Sequence, residues 1–277
     1  MSIFHAIVLG ITQGLSEYLP ISSSGHLILV PWLFGWHDFA GNDHLKKTFD
    51  VALHMGTLAG ALAYFRADVM HYSRASLRLL RHRDERTTDG RIGWLLLLSA
   101  VPAALVGAAL DSSIEKLDDK IWLIAVMLIA LGLLLLVADR LTGRRKVEEF
   151  RMRDAVFMGT AQLIALQPGS SRSGLTITAG RWLGFDRDSA ARLSFLMALP
   201  ITAGAGLYKL LDVMSNGGIP SGLRGAFVVG IITSGITGWF AVWGMLKFVR
   251  TRTFTPFVVY RVAAGTGVLI LLATSFR

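Results

Sequence analysis

Two polar stretches carry side chains that could do chemistry together. The first, QGLSEYLPISSSGH (13–26), places the carboxylate of Glu17 four residues after Gln13, so both project from one face of a helix. It continues through the hydroxyls of Ser22, Ser23 and Ser24 to Gly25 and His26. The second, QPGSSRSG (167–174), sets Arg172 among Ser170, Ser171 and Ser173, with Thr176 close behind. A guanidinium matches phosphate or carboxylate oxygens in a two-pronged fashion. Free amides at a helix start attract the same anions. A carboxylate, a histidine, hydroxyls and one arginine suit phosphoryl transfer. Arg172 and amides would bind the phosphate, Ser23 or His26 would attack, and Glu17 would move the proton or hold a divalent cation. Mg²⁺ or Ca²⁺ prefers oxygen ligands, which makes Glu17 the candidate metal ligand beside the substrate phosphates. The plainer alternatives are helix capping by the serines and a Glu17–Arg172 pair kept for stability alone. An anion-coupled transporter is a further reading of the same residues.

Histidines need sorting. His26 directly follows the serine turn and suits a nucleophile or a general acid/base. His5, His37, His44, His71 and His82 have no such surroundings. His54, inside an apolar run, reads as a helix-packing hydrogen bond, with support of the site as the alternative.

These groups must be held in a membrane. The chain has 277 residues, 53% hydrophobic and only 17% charged, against about a quarter charged in soluble domains. Its mean hydropathy is +0.53. Runs at 94–110, 121–138, 225–246 and 254–276 are each long enough to cross roughly 30 Å of hydrocarbon as a helix. Two more broken runs lie at about 48–65 and about 190–210. The expectation is an all-α polytopic membrane protein with six full transmembrane helices. An ionised group at the bilayer centre costs at least about 2.5–3.5 kcal/mol, so Glu17 is a functional candidate by default. The start, MSIFHAIVLG, lacks the basic segment of a cleavable signal. Zero cysteines exclude disulfides, thiolate catalysis and cysteine metal sites. The net charge of +9 comes mostly from loop arginines and does not point to nucleic acid.

The arginines give a topology. The loop 66–91 carries seven of them and is expected in the cytoplasm, like 140–153, Arg181 to Arg192, and 247–252. The acidic loop 111–120 and the nearly uncharged 211–224 are expected outside. Residues 154–180 then begin and end on one side, so they read as a re-entrant pair of short helices around 167–174.

An internal repeat fits this. GITQGLSEYLPISSSG (10–25) and GTAQLIALQPGSSRSG (159–174) share Gly, Gln, Pro and a serine-rich turn ending Ser-Gly. Twelve residues separate Gln13 from Gly25 and Gln162 from Gly174. AGALAY (59–64) likewise resembles AGAGLY (203–208). A polar re-entrant unit followed by three spans, twice over, makes the second copy inverted. The halves run from about 1–138 and about 154–277, joined by a cytoplasmic loop at 139–153, in one membrane domain. The first hairpin would enter from outside, the second from the cytoplasm, and the two serine turns would meet. Gly-rich GIITSGITGWF (230–240) fits either a homodimer contact or close packing within one chain.

QGLSEYLPISSSGHL, TFDVALHMGTLAG and PGSSRSGLTITAG, in this order over nearly the whole chain, resemble the undecaprenyl-diphosphate phosphatase family, also known for bacitracin resistance. The resemblance implies a bacterial inner-membrane enzyme with interlocked inverted repeats and a site open to the periplasm. It implies hydrolysis of a polyprenyl diphosphate to the monophosphate carrier used in peptidoglycan synthesis. The family's glutamate-rich motif falls on Gln13 and Glu17; Gln at the first position removes one carboxylate and puts a two-carboxylate metal site in doubt. Its serine–glycine–histidine motif falls on Ser22, Ser23, Gly25 and His26, with Ser24 at a variable place. Its Pro-Gly-x-Ser-Arg-Ser-Gly motif spans Pro168, Gly169, Ser171, Arg172, Ser173 and Gly174. Asp50 stands where the family has an acidic residue, either assisting from its helix end or starting that helix. An anion or lipid transporter or flippase on the same scaffold is the alternative.

Overall fold

Helix-start signals and apolar runs divide the described residues into eleven α-helices in the computed structural model. It describes residues 1–39, 41–81, 87–115, 117–215, 218–274 and 276, with side chains at 111–115 outside that description. No strand occurs among the described residues. The helices are α1 (Ile3–Tyr18), α2 (Ser23–Phe34), α3 (Asp43–Tyr64), α4 (Arg66–Arg81), α5 (Thr88–Glu115) and α6 (Ile121–Asp139). After a short 3₁₀ turn come α7 (Met152–Ile164), α8 (Arg172–Trp182), α9 (Arg187–Ser215), α10 (Arg224–Val249) and α11 (Thr255–Ala273). Polar caps start several: His5 N donates to Ser2 Oγ at 3.0 Å, and Leu45 N to Asn42 Oδ1 at 2.9 Å.

Among the described residues, five segments, centred on α5, α6, α9, α10 and α11, are long and apolar enough to cross a membrane. The protein is a multi-pass α-helical membrane protein. Helix α3 has 22 residues, about 33 Å at 1.5 Å per residue. Its first two turns, however, carry Asp43, Lys46, Lys47 and Asp50, so it falls short on apolarity. The expected loop at 66–91 contains helix α4 instead. Met70, Leu77 and Leu80 are exposed among its arginines, the make-up of a helix lying at a membrane surface. His82, Arg83 and Arg86 of that stretch lie outside the described residues.

Two pairs of helices are too short to span. Helices α1 and α2 have 16 and 12 residues, α7 and α8 have 13 and 11, or roughly 16–24 Å each. They form hairpins that pack on distant spans. Helix α1 runs along α10, and α7 runs along α5. Helix α3 packs on α10 as α9 packs on α5, while α3 meets α9 and α6 meets α11. Exchanging the two halves maps these contacts onto one another. Close approach at matching glycines permits it: a Cβ on Gly10 would lie 2.9 Å from Gly230 O, and one on Gly159 2.6 Å from Ser99 O. On α10, Gly230, Ser234 and Gly238 are buried inside the chain. These small residues therefore serve packing within the protomer.

At the arginine-rich end, the segment after α6 is tied to the start of α9. Arg144 and Arg145 amides donate to Gly184 O at 3.0 Å, and Asp186 N donates to Arg145 O at 3.0 Å. Burial works to raise the Asp186 carboxyl, but hydrogen bonds from Lys146 and Ser189 hold it below the usual carboxylate range. Phe150, Phe185, Phe195 and Phe254 are fully buried in the core around this tie.

Candidate active site

Each hairpin turns through a serine with a positive φ. Ser22 has φ 78° and ψ 96°, and Ser171 has φ 70° and ψ 104°. Such a backbone costs a non-glycine residue on the order of 1–3 kcal/mol and gathers at functional sites. Both serines recover something by capping the helix that follows: Ser22 Oγ accepts from Gly25 N at 3.4 Å, and Ser171 Oγ from Gly174 N at 3.1 Å. The two turns touch. A Cβ on Gly25 would meet Gly169 Cα at 3.2 Å, and Ser173 Oγ donates to Leu19 O at 3.0 Å.

The contact assembles a buried polar cluster. Glu17, at the end of α1, is 6% exposed. Its Oε2 accepts from Ser23 Oγ at 2.6 Å and from Gln13 Nε2 at 3.0 Å, and faces His54 Nε2 at 3.4 Å. Its Oε1 is paired with Arg172 Nη2. Arg172 Nη1 donates onward to Thr202 Oγ1 at 2.9 Å. A cavity of about 270 Å³ opens beside this cluster. Glu17, Ser23, Ser24, Ser171, Arg172 and Ser173 border it from the two turns, His54 from α3, and Val51, Leu166 and Ile201 add an apolar wall. The polar end offers a guanidinium and hydroxyls to an anion, and the apolar wall suits a hydrocarbon neighbour.

Other expected residues stand behind the cavity. Gln13 is fully buried with its amide on Glu17. Ser22, Gly25, Gly169 and Gly174 shape the turns. Thr176 turns into the α8–α9 interface, bonding Arg172 O at 2.8 Å and Ser194 Oγ at 2.6 Å. His26 engages both ring nitrogens elsewhere, Nδ1 with Ser22 O and Nε2 with Tyr260 Oη, each at 2.7 Å. Asp50 borders a different cavity, with Trp36, Lys46 and Asp118.

His54 both packs and supports the cluster. Its Nδ1 donates to Asp50 O at 2.8 Å, the expected helix bond, while Nε2 reaches Glu17. Arg261 on α11 went unread in the sequence. It is fully buried and donates to Leu128 O at 3.0 Å, Met127 O at 3.2 Å, Pro20 O at 3.2 Å, Gly169 O at 3.4 Å and Ser170 O at 3.1 Å. One guanidinium thus holds both turns against α6. The available signal was an arginine inside an otherwise apolar run.

Among the described residues, no three His, Asp or Glu side chains gather as a metal-holding set. Both oxygens of Glu17 are engaged by protein donors, one of them an arginine. This donor set does not fit a cation held by the protein alone.

The fold and site define a class: a multi-pass helical membrane protein with a buried serine–carboxylate–guanidinium site at the meeting of two helical hairpins. Residues 6–267 match the family described as "Bacitracin resistance protein BacA". The chain is 45% identical to the undecaprenyl-diphosphatase of Pelobacter propionicus over 277 residues, covering 99% of this chain and 98% of that protein. It is 45% identical to the undecaprenyl-diphosphatase of Geobacter sulfurreducens, covering 98% of this chain and 99% of that one. With the Nocardioides protein of the same name it shares 44%, covering 98% and 96%. The chain belongs to the bacitracin resistance protein BacA family.

Proposed function

We propose that this protein hydrolyses undecaprenyl diphosphate to undecaprenyl phosphate and inorganic phosphate, returning the lipid carrier to cell-wall synthesis. The observation that carries this reading is the hydrogen bond from Ser23 Oγ to a carboxylate that Arg172 also grips. Of the two candidate nucleophiles, Ser23 borders the cavity beside a base, whereas both nitrogens of His26 are occupied away from it.

In the first step Ser23 Oγ attacks the terminal phosphorus while Glu17 takes its proton. The bridging P–O bond breaks, and the monophosphate leaves with the electron pair, receiving the proton from Glu17. Arg172 and the turn hydroxyls hold the equatorial oxygens. Water then attacks the phosphoserine, Glu17 takes the water's proton, and Ser23 Oγ regains it as inorganic phosphate departs. His54 and Gln13 keep the carboxylate aimed at Ser23. Any Mg²⁺ or Ca²⁺ taking part would come with the diphosphate oxygens, and no step here runs through it.

The same reading extends to the architecture. Helix α3 serves as a sixth span, and the halves at about 1–138 and about 154–277 form an inverted repeat joined by 139–153. Support comes from the matching hairpin turns and the exchangeable helix contacts. The arginine-rich end lies in the cytoplasm of a bacterial inner membrane and the cavity opens to the periplasm, in keeping with the positive-inside bias. A transporter or flippase leaves the serine set on a carboxylate without a use.

The test is phosphate release from undecaprenyl diphosphate by the purified protein in detergent. Glu17→Ala and Arg172→Ala should each lower it by about 100-fold or more. Full activity in Arg172→Ala would sink the reading.

A further inference from the structure

Gln162 lies on α7, 1% exposed, and borders the cavity that holds Glu17, Ser23 and Arg172. Its Nε2 donates to the backbone carbonyl of Ser99 on α5 at 3.0 Å. A carbonyl only accepts, so the amide cannot be turned round without setting two oxygens face to face. Gln162 Oε1 is therefore fixed as an acceptor, and no protein donor reaches it. Buried acceptors in native proteins generally find a donor.

Three of the hydroxyls that border this cavity are committed elsewhere. Ser23 Oγ donates to Glu17, Ser173 Oγ to Leu19 O and Ser16 Oγ to Thr12 O. Ionised diphosphate oxygens are acceptors themselves and cannot serve. The reactant with an O–H to give is water. An attacking water has two: one goes to its base, and the other needs an acceptor that fixes the lone pair toward phosphorus.

We propose that Gln162 orients the hydrolytic water, accepting through Oε1 the O–H that this water does not give to Glu17. The inference rests on the hydrolase reading above. It also explains an asymmetry between the hairpins. Gln162 holds in the second the place of Gln13 in the first, but only Gln13 is followed four residues later by a carboxylate; Leu166 stands at the matching position. Gln13 Oε1 is likewise without a protein donor, yet Gln13 does not border the cavity. One hairpin supplies the base, and the other supplies the acceptor for the water.

Methanol separates this role from mere packing. It has a single O–H, which the base consumes, so it gains nothing from Gln162. The purified protein is given undecaprenyl diphosphate in detergent with and without methanol, and inorganic phosphate, methyl phosphate and undecaprenyl phosphate are counted. Gln162→Leu should lower kcat for phosphate release by roughly tenfold or more, with KM falling in step and kcat/KM kept, because only the attack of water on the phosphoserine is slowed. Among the products, the ratio of methyl phosphate to inorganic phosphate should rise by a similar factor. Should Gln162→Leu not accumulate as folded protein, Gln162→Met is measured in its place. An unchanged kcat overturns the inference, and so does a lower kcat with the wild-type product ratio. A wild-type protein that releases no phosphate overturns the hydrolase reading itself, which is a separate result.

Discussion

Glu17 has four polar neighbours on two oxygens: Ser23, Gln13 and His54 on one, Arg172 on the other. An ionised carboxylate only accepts, so every neighbour must bring a proton or a charge, and a substitution here is felt by all of them. The two candidate nucleophiles should separate cleanly on this basis. Ser23→Ala is expected to abolish phosphate release and any phosphoenzyme trapped by acid quench. His26→Ala is expected to keep activity within about tenfold, because its ring supports the Ser22 turn rather than the cavity. A phosphorylated His26 in the trapped protein would reverse the assignment. Glu17, Ser23 and Arg172 were legible in the sequence because ionisable and hydroxyl groups inside apolar runs have few other uses. The weighting of the two histidines was not legible. Both sit in helices near membrane depth, and spacing along one helix does not say which neighbour its polar side will meet.

At the scale of elements, the site depends on two strained turns being pressed together. Serines 22 and 171 keep positive φ angles while their carbonyl-rich surroundings are fastened by Arg261. Arg261→Met should leave several buried carbonyls without a donor, at about 1–3 kcal/mol for each one that stays unpaired. The expected result is a lower melting temperature in detergent together with a large loss of activity, although no cavity side chain has changed. Arg261→Lys should recover only part, since an ammonium cannot reproduce the planar fork. A wild-type melt for Arg261→Met would refute the fastening role. The hairpins themselves were readable from the equal twelve-residue spacings and from the loop arginines that make 154–180 begin and end on one side. Helix α4 was not, because its arginines look like a loop until the seven-and-three spacing of Met70, Leu77 and Leu80, which puts them on one helical face, is set against a membrane surface.

For the whole molecule, the exchange of helix contacts between halves ties topology to chemistry. The proposed three full crossings per half would bring the hairpins in from opposite sides, whereas an even number would bring both in from one side and keep the turns from meeting tip to tip. The absence of native cysteine makes this directly measurable. A single cysteine replacing Asp119 should react with an impermeant maleimide in intact cells, and one replacing Glu148 only after the membrane is permeabilised. Labelling of both from the outside would contradict the inverted arrangement. The spans were legible because hydrocarbon thickness fixes their length. Their pairing was not, since contacts such as α1 on α10 join segments more than two hundred residues apart. Arg261 adds a consequence in time. It follows Ser170 by 91 residues, so a ribosome delivers both serine turns to the bilayer well before the guanidinium that unites them. A nascent chain thus owns every cavity side chain before the residue that fastens the turns, and activity is expected only once the helix bearing Arg261 has been inserted.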